Sequence, residues 1–391
     1  MATLPKTLSA TLARTTLATL GLLLSLAPLS AQDMSTPARA AIVKDMLSGA
    51  ILFERNADEP LPPASMSKLM TNMMVFEWLE SGRLKMSDEF LVSNRAASLG
   101  GSRMFIREGS RVSVENLLRG VVIQSGNDAA VALAEAIAGT EEAFAELMNR
   151  RAAELGIANA RFANATGWPH PDHRISVRAL ATIAERIITE YPDYYPLFSE
   201  REFTWDDIKQ RNRNPLLGNL DGADGLKTGH TEEAGYGLVA SAEREGRRIV
   251  LVVAGLESTG QRRQEAERLM NWAFRAFETK VLHRAGEPVI DAETWVGGAD
   301  SVPLAPIEDV VLTAPLGDLD RATVTAHYDG PLPAPIAAGD VLGEIEIAVP
   351  GLPPRRVPLA ATEDVAPGGF VVRVEAAAEL LFLEALALAG L

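Results

Sequence analysis

The chain has 391 residues, of which 47% are hydrophobic and 23% charged, which allows two domains, or one large domain with a satellite. Its formal net charge of -15 disfavours nucleic acid or anionic lipid as a main partner, because both favour a basic surface. There are no cysteines, so disulfides, thiolate catalysis, cysteine-ligated zinc and iron–sulfur clusters are excluded.

The first residues have the pattern of an export signal. Lys6 and Arg14 give a positive start, an apolar run follows from Leu17 to Leu29, and Ser30-Ala31 offers a small-residue cleavage site before Gln32. The apolar run is short for a membrane span. We therefore predict a signal peptide over residues 1–31 and an exported protein; the alternative is a buried apolar helix.

Residues 32–279 mix helical and strand patterns. Helices are predicted at residues 65–79, 113–122, 128–138, 140–156, 176–188 and 259–279, and strands at residues 40–43, 50–53, 226–229, 236–243 and 248–256. The helices are thus inserted between an early strand pair and a late strand group, which predicts an α/β domain.

From residue 280 the composition changes. Short apolar runs at residues 310–313, 322–327, 341–349 and 356–359 alternate with glycine and proline. This pattern predicts a small all-β domain over residues 280–371. Residues 372–391 are apolar and helical in propensity, and form a separate tail.

The first chemical motif is Ser65-Met66-Ser67-Lys68 at a predicted helix start. Residues three apart lie on one helical face, so the Ser65 hydroxyl and the Lys68 amine can meet. The free N–H groups and positive dipole at a helix N-terminus favour a developing oxyanion. Alone, the motif is also explained by a serine that caps the helix.

Two further motifs change that balance. Ser125-Gly126-Asn127 lies at a break between two predicted helices, which a simple turn would also explain. Lys227-Thr228-Gly229 begins a predicted strand, where the glycine allows close approach of a ligand. In the order S-x-x-K, S-x-N, K-T-G, the three motifs match the signature of penicillin-interacting serine enzymes.

With these motifs the chain resembles the low-molecular-mass penicillin-binding proteins, specifically the D-alanyl-D-alanine carboxypeptidases with a C-terminal β domain. The resemblance covers nearly all of the chain after residue 31. It also includes similar stretches at residues 63–71, 101–105, 124–129, 162–164, 210–214 and 227–231. It implies an antiparallel sheet flanked by helices, as in β-lactamases and transpeptidases, followed by the all-β domain.

The resemblance also implies roles for individual residues. Ser65 would attack the carbonyl of the penultimate D-alanine, and a neutral Lys68, its pKa lowered by burial and by the charge of Lys227, would accept the proton. Ser125 would relay a proton to the leaving amine and Asn127 would orient Lys68.

Substrate binding is implied for a second group of residues. Lys227 and Thr228 would hold the terminal carboxylate, and the N–H groups of Ser65 and His230 would form an oxyanion hole. Gly229 belongs to the same segment. The His230 side chain and Arg213 are either substrate-binding or structural.

No cofactor or metal is expected. His170 and His173 have a spacing that a metal site could use, but no carboxylate or third histidine supports it, and a loop position beside Pro169 and Pro171 explains them better.

The predicted function is the removal of the terminal D-alanine from peptidoglycan pentapeptides in the periplasm, with β-lactams as covalent inhibitors. The alternatives are an endopeptidase of the same fold that cuts peptidoglycan cross-links, a β-lactamase, and a non-catalytic cell-wall-binding protein. The full β domain favours the carboxypeptidase, and we find no counterpart of the glutamate that activates water in class A β-lactamases.

The tail departs from the family. In relatives it is an amphipathic, often basic helix on the inner membrane, whereas here no basic residue follows Arg373, and Glu375, Glu379 and Glu384 are acidic. The tail is predicted to contact the membrane peripherally through apolar area, or else to pack on its own β domain or a partner.

Overall fold

The structure, a computed structural model, describes residues 34–388. The predicted signal peptide, residues 1–31, lies outside the described residues, as do the last three residues of the tail. The described residues form an α/β part followed by an all-β part and a C-terminal helix.

The α/β part contains helices and strands in alternation. Its helices are α1 Lys68–Glu80, α2 Asn94–Ser98, α3 Val114–Val122, α4 Asn127–Ala138, α5 Glu141–Glu154, α6 Val177–Glu190 and α7 Thr259–Ala276. Its strands are β1 Ala40–Asp45, β2 Ile51–Arg55, β3 Glu89–Leu91, β4 Arg111–Ser113, β5 Ala160–Arg161, β6 Arg174–Ile175, β7 Glu202–Trp205, β8 Ile208–Arg211, β9 Ala223–Thr231, β10 Gly235–Arg244 and β11 Arg247–Leu256.

A five-stranded antiparallel sheet, in the order β2-β1-β11-β10-β9, is the centre of this part. Successive side chains of a strand point to opposite faces. On β1, Ala40 and Ile42 therefore pack into the core formed with α1 and α3–α6, while Ala41 and Val43 pack into the core under α7. Helices thus flank both faces, which confirms the predicted fold class.

Short polar side chains start the helices where the sequence predicts. The hydroxyl of Ser113 accepts a hydrogen bond from the Asn116 N–H at 3.3 Å, and that of Thr140 accepts one from the Ala143 N–H at 3.1 Å. Each hydroxyl satisfies one of the N–H groups left free in a first helical turn. These caps fix the entry of α3 and α5, the helices on either side of the Ser125–Asn127 segment and α4.

The end of α7 differs from the prediction. A helix was predicted to continue to residue 279, but α7 ends at Ala276, and Phe277 begins strand β12, Phe277–His283. The strand is selected by long-range pairing with β15, Val310–Pro315, and the Phe277 ring packs edge-on against Trp272 at 5.0 Å between centroids. A local helical pattern carries no information about such a distant partner.

The all-β part is built around its own apolar core. Besides β12 and β15, its strands are β13 Ile290–Trp295, β14 Ser301–Pro306, β16 Thr323–Tyr328, β17 Leu332–Pro333, β18 Val341–Ala348 and β19 Arg355–Ala361. Most form one sheet, in the order β16-β18-β19-β14-β13-β17. The predictions of strands in β15, β16, β18 and β19 are confirmed, whereas β12, β13, β14 and β17 were missed.

A buried carboxylate joins the two parts. Asp45 is fully buried at the end of β1 and accepts hydrogen bonds from Arg247 Nε and from Thr279 Oγ1, each at 2.7 Å. Thr279 in turn contacts Thr313 on β15, and the Thr313 hydroxyl lies 2.5 Å from that of Ser48. The β12–β15 pair is therefore fixed to the β1–β2 turn by a continuous hydrogen-bond network.

The C-terminal helix is α8, Phe370–Leu388. Within residues 34–388, no helix combines the length and apolarity that crossing a bilayer requires.

Candidate active site

Ser65 and Lys68 meet as the motif predicts. A 3-10 helix, Ala64–Ser67, precedes α1 and carries Ser65, and Lys68 is the first residue of α1. Since the two residues share a helical face, Lys68 Nζ reaches Ser65 Oγ at 2.9 Å. The serine is therefore directly paired with an amine that can exchange its proton.

Three acceptors surround the Lys68 amine. Besides Ser65, its Nζ donates to Asn127 Oδ1 at 2.7 Å and to the backbone carbonyl of Thr166. An ammonium has three N–H donors and no acceptor, so the charged form uses all three contacts as a donor. In the neutral amine, the carbonyl and the amide oxygen can keep the two remaining N–H groups, which leaves the lone pair for the Ser65 hydroxyl.

Burial prepares Lys68 for this role. The side chain is fully buried, and its pKa is lowered from 10.5 to about 7, chiefly by this desolvation. The charge of Arg213 also contributes to the lowering, whereas the carboxylates of Glu141 and Asp128 oppose it. Arg213 is a cation that the sequence did not predict to act on Lys68; the predicted cation, Lys227, also lies close enough for the two lysine charges to repel each other.

The Ser125–Asn127 segment lies between α3 and α4. Ser125 is 2% exposed and has a φ of +63°, a left-handed conformation that a non-glycine residue adopts only when its surroundings require it. Its Oγ accepts a hydrogen bond from Lys227 Nζ at 2.8 Å. The Asn127 amide donates to the Gly100 carbonyl at 2.9 Å, which directs its oxygen to Lys68.

Strand β9 brings Lys227-Thr228-Gly229 against the nucleophile segment. A Cβ on Gly229 would lie 2.8 Å from the Pro63 carbonyl oxygen and 3.0 Å from Met66 Cγ. Glycine is needed here because the chain's own backbone, rather than only a ligand, approaches so closely. Burial lowers the pKa of Lys227 well below its ordinary value, and the charge of Lys68 adds to this.

One cavity of about 450 Å³ adjoins these groups. It is lined by Ser65, Ser102, Ser125, Arg213, Thr228, Gly229, His230, Tyr236, Thr259 and Arg262. The buried side chains of Lys68 and Asn127 reach it through Ser65, and that of Lys227 reaches it through Ser125. Every site residue proposed from the sequence thus lies at or directly behind one cavity.

The two residues of uncertain role both face this cavity. The exposed His230 ring stacks on Tyr236 at 3.9 Å between centroids. Arg213 donates from Nη1 to Ser102 Oγ at 2.6 Å.

Sequence reasoning missed two contributors. Arg262, on α7, is 8% exposed and lines the cavity with its guanidinium over the Tyr236 ring. The carbonyl of Thr166 binds Lys68. A backbone carbonyl has no side-chain signature, and the helical pattern of α7 gave no reason to single out Arg262, so neither could be found without the fold.

The two histidines considered for a metal do not line this cavity. His170 is exposed, whereas His173 is buried against Phe162 at 5.9 Å between ring centroids, deeper than the predicted loop position implied. Burial lowers the pKa of His173 to about 3, so its ring is neutral. Among the described residues, no group of three or more histidine or acidic side chains could hold a metal ion.

An antiparallel sheet flanked by helices, with a serine paired to a buried lysine beside a cavity, is the arrangement expected of a serine hydrolase. The family model of D-alanyl-D-alanine carboxypeptidase (peptidase S11) matches residues 27–258, and that of the penicillin-binding protein 5 C-terminal domain matches residues 277–367. The chain belongs to this carboxypeptidase family and is a serine-type D-Ala-D-Ala carboxypeptidase.

Individual relatives are similar over most of their length. D-alanyl-D-alanine carboxypeptidase DacC of Escherichia coli is 39% identical over 349 residues, which covers 87% of each chain. Penicillin-binding protein 5 of Haemophilus influenzae superposes with a TM-score of 0.79 at 36% identity, covering 85% of this chain and 98% of that one. The ampicillin-bound form of penicillin-binding protein D2 of Listeria monocytogenes has a TM-score of 0.57 at 31% identity, covering 62% and 99%.

Proposed function

We propose that Ser65 is the nucleophile of this carboxypeptidase, that Lys68 is its proton acceptor, and that the substrate is a peptidoglycan stem peptide ending in D-Ala-D-Ala. The observation that carries the proposal is the 2.9 Å contact between Lys68 Nζ and Ser65 Oγ at the edge of the cavity. An amine with a pKa of about 7 can accept a proton at neutral pH, which matches the requirement for a general base.

Acylation follows from these contacts. Ser65 Oγ bonds to the carbonyl carbon of the penultimate D-alanine as its proton passes to Lys68 Nζ. The backbone N–H groups of Ser65 and His230 are proposed to stabilise the oxyanion. The C–N bond then breaks, a proton reaches the leaving amine through Ser125, and free D-alanine departs. Water finally cleaves the Ser65 ester.

A cluster of basic groups is proposed to recognise the terminal carboxylate. Arg213 and Arg262 line the cavity together with Thr228, and Lys227 borders it through its hydrogen bond to Ser125. A bound carboxylate favours the protonated form of Lys227 and so offsets the effect of burial on its pKa. The basic pocket thus selects an anionic chain end in an otherwise acidic protein.

The same geometry supports covalent inhibition by β-lactams. Ser65 would attack the lactam carbonyl and break the C–N bond of the four-membered ring. The nitrogen stays bonded to the rest of the drug, which the new ester holds to Ser65, so no leaving group departs from the cavity. The ampicillin complex of the Listeria protein supports this proposal.

An endopeptidase that cuts cross-linked peptides uses the same chemistry. The match to the penicillin-binding protein 5 C-terminal domain, and to a carboxypeptidase along 87% of both chains, supports the carboxypeptidase instead.

We also propose that the protein works in the periplasm, with peripheral membrane contact through its tail. Lys6, Arg14 and the apolar run before Gln32 support export. Phe370, with 83% of its surface exposed, and Phe382, with 64%, support an apolar contact made by α8. N-terminal sequencing of the exported protein should begin at Gln32; an uncleaved N-terminus would contradict the signal-peptide assignment.

Labelling with a fluorescent penicillin tests the nucleophile. The Ser65→Ala variant should lose covalent label completely, because no other hydroxyl in the described part of the chain is hydrogen-bonded to Lys68. Ser67→Ala, one residue before the lysine and fully buried, is the matched control and should label like the wild type. Label that survives in Ser65→Ala would overturn the assignment.

Substrate class is tested separately. A pentapeptide ending in D-Ala-D-Ala should release free D-alanine, and Ser65→Ala should not release it. Cleavage of cross-linked dimers without release of D-alanine from the pentapeptide would favour the endopeptidase.

A further inference from the structure

A buried carboxylate lies behind the catalytic amine, outside the cavity. Glu141 is the first residue of α5, and only 7% of its side chain is exposed. Its Oε2 accepts a hydrogen bond from Arg95 Nη2 at 2.7 Å, and its Oε1 accepts one from the Ala165 N–H at 3.1 Å. Buried charges are costly unless they are paired and hydrogen-bonded, and Glu141 is both.

Glu141 is linked to Lys68 through two residues of backbone. The Ala165 carbonyl accepts from Thr71 Oγ1 at 2.7 Å, and the next carbonyl, of Thr166, accepts from Lys68 Nζ. Thr71 and Lys68 are three residues apart on one face of α1. The backbone at 165–166 is therefore fixed by α1 through its carbonyls and by Glu141 through its N–H.

The charge of Glu141 also acts on the amine. Of the groups that face Lys68, Arg213 on one side lowers its pKa, whereas Glu141 and Asp128 raise it. Lys227 is the remaining nearby cation, and the charge of Lys68 lowers the pKa of Lys227. The Asp128 carboxylate accepts hydrogen bonds from the N–H groups of Met104 and Phe105, which lie outside the turn that binds Lys68. Glu141 is thus an anion joined by its hydrogen bonds to the turn that binds Lys68.

We propose that Glu141 is a positioning residue for the reaction, which fixes the Thr166 carbonyl against Lys68 and supplies the negative charge that keeps this amine a strong enough base. The inference rests on the proposed function of Lys68 as proton acceptor. Neither the cavity nor any of the three sequence motifs includes Glu141.

Glu141→Gln tests the charge while keeping the shape and an acceptor for the Ala165 N–H. The rate of acylation by a penicillin, followed across pH 5–9, should reach a lower plateau at high pH, because the free amine of Lys68 is then a weaker base. The part of the pH profile where the rate falls with decreasing pH, its acidic limb, should move to lower pH by roughly half a unit or more. The reason is that the ammonium form of Lys68 loses a stabilising anion.

Glu142→Gln is the matched control. Glu142 is the next residue, also contacts Arg95, and has a side chain that is 66% exposed, so solvent screens its charge. Its acidic limb should coincide with that of the wild type. An unshifted limb in Glu141→Gln, or an equal shift in Glu142→Gln, would overturn the proposal.

Arg95→Gln gives an independent test of opposite sign. It leaves the Glu141 carboxylate without its cation, so the acidic limb should move to higher pH. If Glu141→Gln fails to fold, this variant decides, and the absence of an upward shift overturns the proposal. Failure of the proposed function is distinguishable, because it would leave penicillin attached to a Ser65→Ala protein, whatever happens at Glu141.

Discussion

A lysine can act as a base at neutral pH only when its amine is largely unprotonated, and Lys68 meets this condition through burial. Its pKa, lowered from 10.5 to about 7, leaves roughly half of the molecules with a free lone pair at pH 7. Below that pH the amine is protonated and cannot accept the Ser65 proton. We therefore expect acylation by a penicillin to fall about tenfold per pH unit below 7 and to level off above it.

Two variants check that Lys68 is the source of this limb. Lys68→Arg, which stays protonated, should lower the acylation rate by roughly 10²–10⁴-fold at every pH. Lys85→Met, which removes an exposed lysine, should leave both the rate and the limb unchanged. A profile that is flat from pH 5 to 8 in the wild type would exclude Lys68 as the proton acceptor.

At the scale of elements, the turn at residues 164–168 places the Thr166 carbonyl. The Asn164 side-chain oxygen accepts from the N–H groups of Thr166 at 3.2 Å, Gly167 at 2.8 Å and Trp168 at 3.1 Å, which closes the turn. Gly167 has a φ of +77°, and a Cβ there would lie 1.9 Å from the Ala64 carbonyl oxygen. The turn and the nucleophile segment are thus in contact through a glycine.

Gly167→Ala should therefore damage both stability and chemistry. We expect a loss of roughly 2–4 kcal/mol in the free energy of unfolding, from the overpacked contact and the strained φ together. The acylation rate of the folded fraction should also fall, because Ala64 precedes Ser65. Denaturant unfolding and penicillin labelling measure the two effects.

Gly139→Ala separates strain from contact. Gly139 has a similar φ of +81°, but a Cβ there would have no atom within 4 Å. It should cost about 1 kcal/mol and leave acylation unchanged. If the two variants behaved alike, the contact with Ala64 would not matter.

The features that could be predicted from the sequence depend on residues that are close together in the chain, whereas the features that were missed depend on residues far apart in it. Ser113 and Thr140 were predictable as caps because a cap depends on four successive residues, and the Ser65–Lys68 pair was predictable because it depends on one helical turn. The end of α7 was not predictable, since β12 is selected by pairing with β15 more than twenty-five residues later. For the same reason Glu141 and Arg262 carry no sequence signal; each acts across the fold.

At the scale of the molecule, the α/β part and the all-β part are joined at a buried carboxylate. Positive charge is concentrated at the cavity, although the whole chain is acidic. Asp45 ties the β1–β2 turn to Thr279, so the all-β part is fixed at a turn on the edge of the catalytic sheet. The net charge of -15 contrasts with the cations around the cavity, Lys227, Arg213 and Arg262. The acidic exterior opposes anionic surfaces in general, which bears directly on how α8 can contact a membrane.

Membrane contact, if it depends on apolar area alone, should not require anionic lipid. Phe370, Val371, Val374, Leu381 and Phe382 are exposed on α8, and no basic residue follows Arg373. We expect the full chain to co-sediment with neutral phosphatidylcholine vesicles at least as well as with vesicles containing phosphatidylglycerol, and added salt should not weaken binding.

Phe370→Ser with Phe382→Ser should reduce this binding, whereas Leu316→Ser, at an apolar residue that is 68% exposed on the all-β part, should not. Binding that needs anionic lipid, or that survives the double substitution, would show that α8 does not make the contact through its apolar surface.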